Sequence, residues 1–231
     1  MIRAVVVDLD DTLYDQQAWL LGAWLAVAAA APPGVSVEQF HEALVATAAE
    51  GSDRGHIIDR ALERVAMTNA DVGRLVQTFR TYDPGRLPPF PGVVSALRRL
   101  RREVPVGLVS DGDPSIQRSK LCALGLDSEF DAIVFSDEHG RDSRKPHPGP
   151  FLRAAEELRV RPGECVFVGD RPDKDVTGAA AAGYIGAVRV LTGEYRHAPS
   201  VPCLATVDDF PAAVEWLESA YADRARVLGQ N

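Results

Sequence analysis

The sequence predicts an α/β fold: a doubly wound, Rossmann-like parallel sheet with a helical bundle inserted after its first strand. Three observations lead to this prediction. Short apolar, mostly β-branched runs recur along the chain, as expected of strands buried on both faces of a parallel sheet. Helical patterns separate the later runs, as in successive right-handed crossovers. Between the first run and the second lie four helical patterns and no strand candidate, which is typical of a small helix bundle.

The strand candidates are five runs that alternate with helical segments. The runs cover 2–7, 104–109, 132–135, 165–168 and 185–190, and the accompanying helical patterns cover 93–103, 116–124, 150–158 and 176–182. In doubly wound sheets, ligands bind beyond the carboxyl ends of the strands. We therefore expect functional residues immediately after the strand candidates.

The inserted bundle accounts for residues 15–87, with helical patterns at 18–31, 37–49, 57–67 and 72–79. Because the bundle follows the first strand, we expect residues 1–14 and 88–231 to form one sheet domain around it. The segment that leads out of the bundle, 83–92, is rich in Pro and Gly and predicts a stiff hinge. The uncharged stretch 18–31 is too short and too rich in alanine to cross a bilayer comfortably, so we expect a packed helix there.

Composition excludes several classes of protein. With 231 residues, 46% hydrophobic and 25% charged, the chain can bury a sizeable core and is not disordered. A net charge of −8 argues against a nucleic-acid partner, because phosphate contacts require a basic excess. The three cysteines form no CxxC pair, so we expect free, mostly buried thiols in a reducing compartment. No signal-peptide pattern precedes the first strand, so we expect a soluble, cytoplasmic protein with no membrane partner.

The segment Asp8-Leu-Asp10-Asp-Thr12 directly follows the first strand candidate. Asp8 and Asp10 are two residues apart and therefore lie on the same side of an extended chain. Two such carboxylates can divide the chemistry, one as a nucleophile or metal ligand and the other as an acid and base. A polar turn with capping aspartates would give the same short pattern.

Two further segments carry groups suited to a phosphoryl oxygen. Ser110-Asp111-Gly112 follows the second strand candidate and offers a hydroxyl and backbone donors, although this triplet is also a common turn. Lys145 lies in the polar loop 140–145. The chain has 22 arginines and three lysines, so a lysine here suggests that a compact ammonium group is required.

The fourth strand candidate ends in Gly169-Asp170, and Asp175 follows. Acidic residues at a third strand end would complete a set of oxygen ligands for Mg²⁺. Alternatively, Asp173 and Asp175 could complement the dipole at the start of the next helix.

Together these four segments resemble, in order, the motifs of the haloacid dehalogenase superfamily. The matching residues are Asp8-Leu-Asp10-Asp-Thr12, Ser110, Lys145 before a proline, and Gly169-Asp170 with Asp175. Phe90-Pro-Gly92 before a helix and Leu124-Gly-Leu126 before a strand also match. The resemblance covers residues 1–190, and the remainder of the chain less clearly.

The resemblance implies a phosphatase mechanism. Asp8 would attack the substrate phosphorus in line and form an aspartyl-phosphate, while Asp10 would protonate the leaving oxygen and then activate water. The dehalogenases of the superfamily need no acid for a halide leaving group and usually lack the second aspartate. Asp10 therefore favours the hydrolysis of a phosphate monoester.

The resemblance also implies how the ligands are held. Ser110, Lys145 and the backbone N–H groups near Asp111 and Gly112 would bind the phosphoryl group. The implied Mg²⁺ ligands are Asp8, the backbone carbonyl of Asp10, and Asp170, with Asp175 steadying the site from nearby. Many relatives carry Asn at the position of Asp111, so whether Asp111 contacts the phosphate is left open.

In the same resemblance residues 15–87 correspond to a C1-type cap and residues 1–14 with 88–231 to the catalytic core. A cap of this type implies a small phosphorylated metabolite, such as a sugar phosphate, a phosphoglycolate-like acid or a nucleoside monophosphate. Within the cap, Arg54 or His56 in the loop 51–56 could read a carboxylate or hydroxyl of the substrate. A solvated loop is the alternative.

Three other readings stay open. A phosphomutase would share Asp8 and Asp10 but retain the phospho-enzyme for a return transfer. A non-catalytic relative would use the same fold as a sensor or binding module, although it would have no physical reason to keep both carboxylates. Dehalogenation is the third. We expect a monomer or a homodimer.

Overall fold

The computed structural model describes residues 1–31, 34–51, 55–67 and 69–228, with side chains described as far as residue 220. It divides into two compact units. One consists of Met1–Gln16 together with the chain from Leu87 onward, and the other is Gln17–Arg86.

The first unit is built on a six-stranded parallel sheet. Its strands are β1 (Ala4–Val7), β2 (Val106–Ser110), β3 (Ala132–Phe135), β4 (Cys165–Gly169), β5 (Gly186–Val190) and β6 (Ala205–Val207). They lie in the order β3-β2-β1-β4-β5-β6, and every neighbouring pair is parallel. The predicted doubly wound α/β sheet is therefore confirmed, and the direction of winding reverses between β1 and β4.

The helices follow the predicted sequence patterns closely. The second unit contains α1 (Gln16–Ala29), which begins at the unit boundary, then α2 (Val37–Ala48), α3 (Ile57–Arg64) and α4 (Val72–Arg80). The sheet unit contains α5 (Val93–Glu103), α6 (Pro114–Leu124), α7 (Gly149–Glu157), α8 (Thr177–Ala181) and α9 (Phe210–Leu228). Among the described residues, none of these helices is both long enough and apolar enough to cross a membrane.

Local chemistry explains where α6 begins and ends, which matters because this helix contributes to the site. The side chain of Asp113 accepts a hydrogen bond from the backbone N–H of Ser115, and Pro114 occupies the first turn. At the other end Gly125 adopts a left-handed conformation with φ of 66°, which costs a glycine nothing.

Each unit has its own apolar core. In the sheet unit, Phe151 packs between Phe167 and Tyr184, with ring centroids 4.9 and 5.8 Å away. In the second unit, Trp24 stacks on Phe79 with centroids 4.5 Å apart. Strands β1, β2 and β4 are buried along their whole length, as expected of a parallel sheet covered on both faces.

The structure departs from the sequence predictions at the end of the chain. The sequence analysis predicts neither β6 nor α9. β6 has three residues and only partial burial, and so gives no clear strand pattern. The expectation of mostly buried thiols is wrong: only Cys165 is buried, and Cys122 is exposed, although all three cysteines are free. Cys122 follows Leu121 on α6, so it lies on the solvent side of a helix whose inner face is buried.

Candidate active site

The polar residues of the first and fourth motifs lie on both sides of the point where the strand order reverses. Asp8 follows β1 directly, and its backbone N–H donates to the carbonyl of Val168 in β4 at 2.9 Å. Asp170 follows β4. Since adjacent parallel strands end at the same edge, the two aspartates lie next to each other at the position where such sheets bind ligands.

Three buried carboxylates form a cluster at this edge. Asp8, Asp170 and Asp175 each present an oxygen within 4.8 Å of the others. Asp175 is held in place because its Oδ2 accepts the backbone N–H of Arg171 at 3.0 Å. Gly169 makes room for it: a Cβ at this position would lie 2.3 Å from Asp175 Oδ2. The glycine of the fourth motif is therefore required by the close approach of Asp175.

Lys145 supplies the positive charge of the cluster. Its Nζ lies 2.6 Å from Asp8 Oδ1 and 2.7 Å from Asp175 Oδ1, and its side chain is almost completely buried. Burial lowers the pKa of Lys145, but the charges of Asp175 and Asp8 outweigh this and raise it above its usual value. The ammonium group is therefore charged at neutral pH.

Burial acts on the carboxylates in the other direction, because it disfavours their charged form by raising the pKa. Burial raises the pKa of Asp8 to about 8, with a contribution from Asp175, although Lys145 opposes the increase. Burial and the same carboxylates also raise the pKa of Asp170 well above its usual value. With all groups ionised, three carboxylates face one ammonium group, and the cluster carries two excess negative charges.

The cluster fits a divalent metal ion. Oδ2 of Asp170 is buried and, among the described residues, has no hydrogen-bond partner. A buried carboxylate oxygen without a partner is costly unless a cation binds it. Carboxylate oxygens are hard ligands of the kind that Mg²⁺ prefers, and two excess negative charges match a divalent cation.

Asp10 occupies a different environment from Asp8. Its Oδ1 accepts hydrogen bonds from the hydroxyl of Tyr14 at 2.5 Å and from Nζ of Lys120 at 2.7 Å. Its Oδ2 accepts one from Nε2 of Gln117 at 2.7 Å. Burial raises the pKa of Asp10, but Lys120 and the hydrogen bonds from Lys120, Tyr14 and Gln117 outweigh burial and lower it. The side chain is thus engaged with α6.

The second motif lies at the end of β2. Ser110 is buried, and its Oγ lies 2.5 Å from Nε2 of Gln117.

Oδ1 of Asp111 accepts the backbone N–H of Lys145 at 3.0 Å. The acidic side chain in this motif therefore holds the loop that carries Lys145. The backbone N–H of Gly112 is bound by Asp137, whose pKa is lowered chiefly by its hydrogen bonds from Arg144.

A sequence comparison fits this geometry. The profile of the haloacid dehalogenase-like hydrolases matches residues 2–183. The chain belongs to this family. The resemblance read from the four motifs is thereby confirmed.

Individual relatives and structures show what this hydrolase is similar to. The glyceraldehyde 3-phosphate phosphatase of Methanopyrus kandleri is 34% identical over 85% of this chain and 87% of the relative. The N-acylneuraminate-9-phosphatase of Mus musculus is 41% identical over 39% of this chain and 36% of the relative. Among solved structures, the 2-haloacid dehalogenase of Pseudomonas syringae pv. Tomato superposes with a TM-score of 0.64 at 25% identity, covering 95% of this chain and 99% of that one.

The sequence analysis missed several residues of the hydrolase site, above all Lys120 and Gln117 on α6. One signal could have indicated Lys120. All three lysines of the chain lie near carboxylates of the motif residues: Lys145 at 2.6 Å from Asp8, Lys120 at 2.7 Å from Asp10, and Lys174 at 4.0 Å from Asp111. In this arginine-rich chain, the position of each lysine therefore indicates the site.

The two candidate specificity residues belong to the second unit of the hydrolase. Arg54 lies outside the described residues. His56 precedes α3 in a left-handed conformation with φ of 50°, and its exposed ring places Nδ1 3.7 Å from Oδ2 of Asp59. A role for either residue in substrate recognition stays a prediction.

Proposed function

We propose that this hydrolase is a Mg²⁺-dependent phosphatase that cleaves small phosphate monoesters through an aspartyl-phosphate on Asp8. The observation that carries the proposal is that the two carboxylates of one motif, Asp8 and Asp10, lie in different surroundings. Asp8 lies in the cluster with Lys145, where a phosphoryl group and a cation can be neutralised. Asp10 lies outside this cluster, where Tyr14, Lys120 and Gln117 hold its carboxylate. Two carboxylates in contrasting environments are what a nucleophile and an acid–base residue require.

In the first step, an oxygen of Asp8 forms a bond to phosphorus while the bond between phosphorus and the ester oxygen breaks. Lys145, the Ser110 hydroxyl and the backbone N–H of Asp111 hold the phosphoryl oxygens, whereas the backbone N–H of Gly112 is already bound by Asp137. Stabilising the charge of the transferring group is the main contribution a protein makes to such reactions.

Asp8, Asp170 and the backbone carbonyl of Asp10 would hold Mg²⁺, with Asp175 fixing Lys145 beside them. When bound, the cation supplies charge neutralisation at the phosphoryl oxygens. The Oδ2 of Asp170 supports this assignment, because it is a buried carboxylate oxygen with no hydrogen-bond partner among the described residues.

Asp10 moves the protons. In its protonated form it gives that proton to the departing ester oxygen, which becomes an alcohol, and it then regains a proton from the water that attacks phosphorus. The aspartyl-phosphate bond breaks, and inorganic phosphate leaves. An alkoxide needs this proton because it is a poor leaving group, whereas a halide does not. The presence of Asp10 two residues after Asp8 therefore supports a phosphatase over a dehalogenase.

The names of two relatives support a proposal for the class of substrate. Their names specify glyceraldehyde 3-phosphate and N-acylneuraminate 9-phosphate, and both compounds are phosphate esters of a primary alcohol on a polar carbon chain. We propose the same class for this protein, with residues 15–87 as a C1-type cap. Arg54 and His56 are the residues proposed to read the carbon chain, and an Arg54→Ala variant with unchanged kcat/KM on every ester would refute that role for Arg54.

We further propose a cytoplasmic location, which the free thiols of all three cysteines support. A monomer or a homodimer is proposed for the oligomeric state.

The deciding experiment measures phosphate release from a panel of small phosphate esters with Mg²⁺ and with EDTA. Wild type is compared with Asp8→Asn and with Asp142→Asn, a control that makes the same change on an exposed loop. We expect release that needs Mg²⁺, is abolished in Asp8→Asn and is unchanged in Asp142→Asn. A folded wild type that binds Mg²⁺ but releases no phosphate from any ester would contradict the proposal and favour a phosphomutase or a sensor.

A further inference from the structure

Helix α6 presents two polar side chains to Asp10 from one of its faces. Gln117 and Lys120 are three residues apart, so they lie one above the other on the helix. Both are almost completely buried, at 2% and 3% exposure. A buried amide or ammonium group loses its hydration and is tolerated only where it finds strong partners. Lys120 and Gln117, which we call the α6 clamp, are therefore placed for their contacts with Asp10.

The clamp holds both oxygens of one carboxylate. Lys120 Nζ binds Oδ1 of Asp10 at 2.7 Å, and Gln117 Nε2 binds Oδ2 at 2.7 Å. The hydroxyl of Tyr14 adds a second hydrogen bond to Oδ1 at 2.5 Å. Rotation of the carboxylate about the Cβ–Cγ bond of Asp10 would break the contacts at both oxygens at once. The clamp thereby fixes the plane of the group that transfers protons.

Gln117 links this carboxylate to the second motif. Its Nε2 lies 2.5 Å from Ser110 Oγ as well as 2.7 Å from Asp10 Oδ2. An ionised carboxylate only accepts hydrogen bonds, so the group facing Asp10 is the NH₂, which has two protons to donate and accepts none. The Ser110 hydroxyl must therefore accept from Gln117, and its own proton is directed to another acceptor.

We propose that Lys120 and Gln117 are positioning residues for proton transfer by Asp10, and that Gln117 also orients the Ser110 hydroxyl as a donor to the phosphoryl group. This inference rests on the proposed function, which gives Asp10 and Ser110 their roles. The clamp residues themselves gain and lose no proton. Asp10 passes its proton to the ester oxygen in the first step and receives one from water in the second, while both clamp residues stay hydrogen-bonded to it.

The test compares an ester that needs an acid with one that does not. Glycerol 3-phosphate releases an alkoxide, whereas 4-nitrophenyl phosphate releases a stable phenolate. Because the leaving group departs in the first step, kcat/KM reports that step alone for each ester. The variant is Lys120→Met, and the control is Arg118→Met, which removes a positive charge from the same helix at an exposed side chain lying over the Phe135 ring.

We expect Lys120→Met to lower kcat/KM for glycerol 3-phosphate by about 100-fold, the lower end of what acid–base catalysis contributes. The same variant should leave kcat/KM for 4-nitrophenyl phosphate within a few-fold of wild type, and Arg118→Met should leave both unchanged. Gln117→Met should show the same contrast and also raise KM for both esters, because Ser110 loses its orientation. If Lys120→Met does not fold, Lys120→Gln is the alternative variant, because it keeps a hydrogen-bond donor. We expect it to show the same difference in kcat/KM between the two esters, but a smaller one.

The outcomes are distinct. An equal loss on both esters would show that Lys120 only supports the structure, and no loss on either would show that Asp10 needs no clamp; both overturn the inference and leave the proposed function standing. If wild type releases phosphate from no ester of the panel, the proposed function fails and the clamp's role in it fails as well.

Discussion

The ammonium nitrogen of Lys145 lies 2.6 Å from Oδ1 of Asp8, although the two residues belong to motifs at distant points of the chain. The same nitrogen lies 2.7 Å from Oδ1 of Asp175. One buried cation thus neutralises part of a carboxylate cluster that also fits a metal ion. The chemistry at Asp8 depends on the ammonium group of Lys145 and on the bound metal ion, and each of these positive charges can be removed separately.

Removing the ammonium group should abolish most activity. Lys145→Met leaves Asp8 and Asp175 facing each other without a counter-charge and takes away a phosphoryl ligand, so we expect kcat to fall by about 100- to 1,000-fold. Lys145→Arg should not rescue it, because a planar guanidinium does not fit a pocket shaped around a compact ammonium group. Arg153→Met, which removes an exposed positive charge from α7, is the control. Activity in Lys145→Arg close to wild type would contradict the proposed fit.

Stabilisation by Mg²⁺ should increase with pH. Burial raises the pKa of Asp8 to about 8, so without metal the folded cluster holds protons that the unfolded chain releases. That contribution to stability is fully present below the ordinary carboxyl pKa and is lost as the pH rises through about 8. Mg²⁺ replaces those protons and competes with them at low pH.

The measurement is the unfolding temperature with Mg²⁺ and with EDTA across this range. We expect the difference between the two to be small near about pH 5 and largest near about pH 8. The same scan on Asp170→Asn should show a much smaller difference at the higher pH. A difference in wild type that stays constant with pH would contradict the proposed link between metal binding and the buried carboxylates.

Gly169 should not tolerate even one added methyl group. An alanine Cβ would lie 2.3 Å from Asp175 Oδ2 and 2.9 Å from Cε1 of Phe167, so Asp175 would have to move away from Lys145. We expect Gly169→Ala to weaken Mg²⁺ binding by about 10- to 100-fold, as for other changes to residues that support metal ligands. Titration of Mg²⁺ by calorimetry measures this.

Gly163→Ala is the matched control, because its Cβ would meet its nearest neighbour at 3.8 Å, an ordinary contact. We expect this variant to bind Mg²⁺ as wild type does. Equal binding by both alanine variants would show that Asp175 can shift without affecting the metal ligands.

Asp111 should matter as a hydrogen-bond acceptor more than as a charge. Its Oδ1 accepts the backbone N–H of Lys145 at 3.0 Å, and an asparagine oxygen can accept the same bond. We therefore expect Asp111→Asn to keep most of kcat/KM on 4-nitrophenyl phosphate. Asp111→Ala leaves that N–H without its partner, which costs about 1–3 kcal/mol when the group is buried, and should reduce both activity and the unfolding temperature. Equal activity in the two variants would show that the contact does not position Lys145.

The fold was largely predictable because a parallel sheet leaves strong local signals. Continuous apolar strands and helical periodicity are properties of neighbouring residues, so the boundaries of α5, Val93–Glu103, coincide with the sequence prediction. The segment β6 has three residues and partial burial, and so gives no comparable signal. Its position depends on pairing with β5, which local sequence does not encode.

The sequence by itself determined which residues follow the strands, and therefore that Asp8, Ser110 and Asp170 meet at one edge of the sheet. Only the tertiary structure decided what each polar group touches. The strand order sets Asp170 beside Asp8, the turn after β4 brings Asp175 to Lys145, and the packing of α6 turns Lys120 towards Asp10. The physical reason is that these contacts join elements far apart in the chain. From sequence alone, a polar residue on a helix is predicted to be solvent-exposed, and only the packing of the helix shows that it faces a carboxylate.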